Sequence, residues 1–168
     1  VPADQLAAAL DALVARLDSA PPKDADARAR ELALTEKAYR VRVLAQAGRP
    51  DPGWMARLRE EAEHLPLAAR IHLAVALRAA GEPRAATELL ISAGMPEANR
   101  ARHADQIPSS LVTDAALLLD AWLDVDPQHE RVARLARLIE DARRDGHWGT
   151  TQDNALALMA LGRLCEES

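Results

Sequence analysis

Phenylalanine is missing from this chain, tyrosine occurs once and tryptophan three times. A β-sheet core draws on aromatic and β-branched side chains, so there is little here to build one from. Cysteine also occurs once, at Cys165, which excludes an internal disulfide and a Cys-rich metal site. Its place near the end of an apolar helical segment reads as that of a small, half-buried hydrophobe. No apolar run approaches the roughly 20 residues that span a bilayer, and no membrane contact by this segment is expected. Positive charge is not clustered either. The 21 Lys and Arg are interleaved with 26 Asp and Glu, for a net charge of −5, and no four basic residues are consecutive. A phosphate-backbone footprint needs clustered charge, so nucleic acid is not an expected partner. Val1, Pro2, Ala3 and Asp4 form neither a basic nor an apolar stretch, so no targeting signal is expected in them.

What the chain does have is alanine and leucine, which dominate a hydrophobic content of 49%. Both are strong helix formers. Eight helical segments can be read over the 168 residues, taken as a single all-α domain. The first runs from about Ala3 to Asp18, with Leu6, Leu10, Leu13 and Leu17 on one face; the polar stretch Ser19 to Asp26, with Pro21 and Pro22, ends it. The second spans about Ala27 to Ala47 and stops at Gly48. The third opens at Asp51 and Pro52, an N-cap followed by proline, and ends near His64. The fourth follows Pro66 and stops at Gly81; the fifth opens at Glu82 and Pro83 and ends near Gly94. After the irregular stretch Met95 to Pro108, the sixth starts beyond Ser109 and Ser110 and ends near Val125. The seventh is expected from Asp126 and Pro127 to about Arg144. The last is capped by Thr150, with Asp153 as the acidic half of a capping box, and runs to about Glu166.

Two kinds of helix alternate. Segments three and seven have a narrow apolar stripe and a broad charged face. Segments six and eight, as in 115–119 and 155–161, are apolar almost all round. A helix apolar on every side needs protein around it, whereas a one-sided helix sits at a surface. The order surface, buried, surface, buried implies a double-layered arc of about four hairpins. Thr35, Thr113 and Thr151 open comparable stretches, and their spacing implies a repeat of about 39 residues.

At this point the residues resemble a known family. The segment from Trp148 through Gly149, Thr150, Thr151, Gln152, Asp153 and Asn154 into 155–161 is similar to the start of the last inner helix in the thioester domain of bacterial alpha-2-macroglobulins. Residues 38–50 and 110–119 look like two further inner helices of that domain. The resemblance implies a partial α/α toroid: four of the family's six helical hairpins, with outer and inner helices alternating. It implies a structural part of a protease-trapping inhibitor, periplasmic or at the cell surface, not itself an enzyme. Its partners would be neighbouring domains of the same polypeptide and, through the parent protein, target proteases. The thioester itself is not assigned to this chain, because Cys165 is followed by Glu166, Glu167 and Ser168 without the family's glutamine. The alternatives are a free-standing binding module of the tetratricopeptide or HEAT type, and more remotely a toroid-fold cyclase.

No cofactor, metal or catalytic residue is expected. His64, His72, His103, His129 and His147 are scattered without metal-ligand spacing. Asp124 and Asp126 could form an acid pair, but Asp126 before Pro127 reads as a helix cap. Ser109 and Ser110 lack a nucleophile-elbow context. Asp145, Gly146, His147, Trp148 and Gly149 resemble a cyclase turn, yet four aromatic residues cannot line a carbocation cavity. If the inner helices run parallel, Asp114, Gln152 and Asp153, with Trp148 just ahead, gather at one rim. They are the candidate contacts for neighbouring domains, alongside an ordinary role in capping and dipole compensation.

Overall fold

The structure, a computed structural model, describes residues 2–19, 24–96 and 110–167. Among these it is all-helical: α1 (Ala3–Ala15), α2 (Ala27–Gln46), α3 (Pro52–Glu60), α4 (Leu67–Ala79), α5 (Pro83–Ala93), α6 (Leu111–Val125), α7 (Glu130–Asp141) and α8 (Thr151–Glu167). A short 3-10 turn, Ala62–His64, follows α3. Pro21, Pro22, His103, Ser109 and most of the stretch between Met95 and Pro108 lie outside the described residues.

Local chemistry sets the boundaries. Asp26, Asp51 and Ser110 each accept a backbone N–H from the residue three positions on, at 2.7, 2.9 and 2.9 Å, satisfying a donor the first turn leaves unpaired. Gly48 and Gly81 end α2 and α4 at φ of 74° and 89°, a left-handed conformation that costs glycine nothing. At these ends Arg49 N donates to Leu44 O and Glu82 N to Leu77 O, the six-to-one bond of a Schellman turn.

Two expected boundaries move. The first helix stops at Ala15 rather than Asp18, because Leu17 N turns back onto Val14 O and Leu17 is buried. The seventh starts at Glu130 rather than Asp126. Asp126 instead ends α6 and accepts from Gln128 N, while His129 Nδ1 accepts from Arg131 N and caps α7.

Packing divides the helices into two sets. α2, α4, α6 and α8 form a row in which each touches the next. α3 and α5 pack on α4, α5 and α7 on α6, and α1 on α2. All contribute to one core. The row is buried most deeply at its middle. Ile71, Leu73, Ala74, Val75, Ala76 and Leu77 of α4 are buried, as are Ala115, Ala116, Leu118, Leu119, Ala121, Trp122 and Leu123 of α6. α7 lies on one side only, burying Val132, Leu135, Ala136 and Ile139.

The eighth helix departs from the expected full enclosure. It buries Asp153, Ala157 and Ala160, while Leu158 and Met159 are 63% and 67% exposed. At the end of the row, α6 is its main neighbour, so one face is covered. Cys165 near its end is exposed, not half-buried. The repeat is also looser than the threonines imply. Thr113 and Thr151 lie in the first turns of α6 and α8, whereas Thr35 sits well inside α2, its hydroxyl donating to Glu31 O.

The burial pattern separates two leucines. Leu118→Ala on α6 is expected to cost about 2–5 kcal/mol, because a fully buried side chain leaves a cavity. Leu158→Ala on α8 should change stability by about 0.5 kcal/mol or less. Urea denaturation of the two variants checks this; equal losses would contradict the burial of the row.

Candidate functional site

The first polar site joins the N-termini of α6 and α8. Asp153 is only 3% exposed and accepts four hydrogen bonds. Its Oδ2 takes Thr150 N and Thr150 Oγ1, both at 2.9 Å, while Thr150 Oγ1 accepts from Asp153 N at 3.1 Å. This is a capping box with aspartate in the acidic position. The other oxygen, Oδ1, accepts from Ser110 Oγ and from Thr113 Oγ1, both on the first turn of α6. One carboxylate therefore caps its own helix and ties it to its neighbour, with both N-termini at the same end. Burial by itself raises the Asp153 carboxyl, but hydrogen bonds from Ser110, Thr150 and Thr113 outweigh it and hold the group below its ordinary value. Gly149 leaves room for it: a Cβ there would come within 3.2 Å of Asp153 Oδ2.

Trp148 locks the approach to α8. Its indole Nε1 donates to Ile139 O at 2.7 Å, its peptide N donates to Asn154 Oδ1 at 3.1 Å, and its carbonyl accepts from Asn154 Nδ2 at 2.8 Å. Ahead of it, Asp145 and Gly146 (φ 49° and 86°) form a two-residue turn closed by Arg144 N to His147 O and His147 N to Arg144 O. The turn that resembles a cyclase motif connects α7 to α8, with its tryptophan anchored to Ile139 O. Of the four candidate rim residues, Trp148 and Asp153 are buried in this junction, Asp114 is half-buried in the first turn of α6, and Gln152 is exposed. Ser110, Thr113 and Asn154 complete the junction and were not among the candidates. Ser110 was legible as a cap, but its reach to another helix was not.

A second site escaped sequence reasoning. Asp120 and Asp124, one turn apart on α6, pair with Arg163 of α8, whose Nη1 meets Asp120 and whose Nη2 lies 2.9 Å from Asp124 Oδ1. Arg42 of α2 comes from the other side, its Nη2 lying 3.4 Å from Asp120 and 3.6 Å from Asp124. Glu167 joins Arg163 at 3.5 Å. His72 of α4 lies between these helices, edge-on to Tyr39 with ring centroids 5.3 Å apart. Burial and the charge of Arg42 push His72 down to about 4, with Asp120 opposing. The signal was present in the sequence: like charges at i and i+4 repel within a helix, so this spacing calls for cations from elsewhere. Asp124 and Asp126, read as a possible acid pair, part here, Asp124 joining the ion cluster and Asp126 ending α6. Two guanidinium groups meet three carboxylates here, so the cluster ties α2 and α8 to α6 through ion pairs, while His72 Nδ1 and Asp124 Oδ2 are buried without a hydrogen-bond partner.

No protein-family model, curated protein or solved structure matches this chain.

Three outcomes are expected. Asp153→Ala should lose about 2–3 kcal/mol, combining a lost cap with orphaned partners on α6. A carboxyl held low in the folded state stabilises above its unfolded value of 3.8 and loses that contribution as pH falls below it. The gap between wild type and Asp153→Asn should therefore be constant at neutral pH and narrow below about 4. The His72 imidazole, lowered from 6.5 to about 4, likewise stabilises when neutral, and its contribution should fade as pH drops between those values. An NMR titration of His72 with a midpoint near 6.5 would contradict its placement.

Proposed function

We propose that this chain is a structural segment of a protease-trapping inhibitor of the alpha-2-macroglobulin type, a partial α/α toroid that supports the domain around it. The observation that carries the reading is the junction at the head of α8. The residues that resemble the family's last inner helix, Trp148, Thr150, Asp153 and Asn154, are those bonded together where α8 begins. A chance likeness in a surface loop would not be expected to fold as one unit at the start of a row helix.

Two layers of helices, the row α2, α4, α6 and α8 and the helices packed on it, support the toroid reading. Arg42 of α2 reaches across α4 to pair with Asp120 and Asp124 of α6, so ion pairs occupy part of the face that a tetratricopeptide or HEAT module would use for a ligand. In this reading α2, α4, α6 and α8 are inner helices and the others outer ones. Asp114 and Gln152, at the α6 and α8 end, are contacts for neighbouring domains. The segment works in the periplasm or at the cell surface, meets proteases only through the rest of its polypeptide, and performs no catalysis of its own.

The complete gene product that carries this segment provides the test. Incubated with a broad-specificity protease, it should block cleavage of a large protein substrate while leaving hydrolysis of a small chromogenic peptide nearly intact. Equal inhibition of both substrates, or of neither, would refute the trapping role.

A further inference from the structure

The cap of α7 differs in kind from those of α2, α3 and α6. Asp26, Asp51 and Ser110 accept through oxygens, whereas α7 is capped by an imidazole, His129 Nδ1, which takes Arg131 N at 3.3 Å. A ring nitrogen accepts only while it is unprotonated; a protonated imidazole has two donors and no acceptor. The same ring lies flat on the buried Trp122 of α6, with centroids 4.0 Å apart and planes 16° from parallel. Arg131, whose N–H it holds, reaches on to α5. Its Nη1 donates to Leu90 O at 2.9 Å and to Ile91 O at 3.1 Å, in the last turn of that helix. One imidazole therefore stands where α5, α6 and α7 meet.

We propose that His129 is a proton-operated latch: neutral, it holds the first turn of α7, from which Arg131 grips α5; protonated, it stays on Trp122 but lets that turn go. The proton acts in opposite directions on the two contacts of the ring. A positive charge strengthens attraction to the face of an indole, so the stack on α6 survives. The same charge removes the acceptor and sets a cation against the positive end of the α7 dipole, so the cap is lost. Several charged groups surround the ring. On its own segment, the Asp126 carboxylate accepts from Gln128 N, and Glu130 is exposed in the first turn of α7. The Arg131 guanidinium lies 5.8 Å from the Trp122 ring centroid and adds a second cation there. From α5, Arg84 and Glu88 border a notch together with Asp126. The proposal does not rest on the inhibitor reading, since it uses only the junction of α5, α6 and α7.

The test is NMR of the 15N-labelled 168-residue chain, titrated from about pH 8 to about pH 4 to carry a histidine through protonation. In the neutral state the ring shifts of His129 should report the Nε2–H tautomer, since Nδ1 accepts. On protonation the Arg131 amide shift should move in step with the ring. Corrected for its intrinsic rate, exchange of that amide should quicken about fivefold, the usual worth of a cap. Amides in the middle of α6 should not respond. His129→Asn keeps an acceptor that does not titrate, so its Arg131 amide should lose the pH dependence. His129→Ala has no cap, so exchange there should be fast at every pH, with circular dichroism reporting that the helices remain. An Nδ1–H tautomer in the neutral ring, an Arg131 amide indifferent to His129 protonation, or the same pH dependence in His129→Asn would each overturn the proposal. The last of these would assign the effect to Asp126 or Glu130.

Discussion

α4 and α6 are apolar around most of their circumference, and exposure to water is the one environment they cannot tolerate. Burying a leucine side chain stabilises by about 1.5–3 kcal/mol, and the rest of the architecture supplies the cover. α3 and α5 lie on α4, α5 and α7 lie on α6, and α2 and α8 close the flanks of the row. The one-sided stripe of α7 follows from this arrangement, since an outer helix has a single core to face.

Hydrophobic cover alone would let these helices slide or splay, because it has no direction. Two polar devices supply one. At one end of α6, the Asp153 carboxylate ties Ser110 and Thr113 to the cap of α8. Towards the other end, Asp120 and Asp124 gather Arg163 from α8 and Arg42 from α2. The two devices differ in character. The first is buried and hydrogen-bonded in full, so removing one member leaves several groups unsatisfied. The second is partly solvated, and its individual ion pairs contribute modestly. Its value is directional, since it links α2 and α8 to the same turn of α6.

Helix positions were legible because proline, glycine and capping residues punctuate the chain. Asp51 with Pro52, Gly48, Gly81 and the Thr150 to Asp153 box all act as their sequence context implies. Asp126 before Pro127 did not, because its carboxylate closes a turn onto Gln128 N and the helix begins only at Glu130, behind the His129 cap. α8 misled in a different way. Composition tells how apolar a helix is, not whether a neighbour is present, and Leu158 and Met159 remain uncovered. The partners of Asp120 and Asp124 were hidden for the same reason. Arg42 lies 78 residues from Asp120, and only packing brings them together.

Native-state hydrogen exchange measures the central claim most directly, since it reads the burial of each helix separately. Amides of α4 and α6 should exchange slowest, opening only with global unfolding, while those of the outer face of α8 and of α1 exchange faster. Protection spread evenly over all eight helices, or greatest in α8, would show that the row is not organised around α4 and α6.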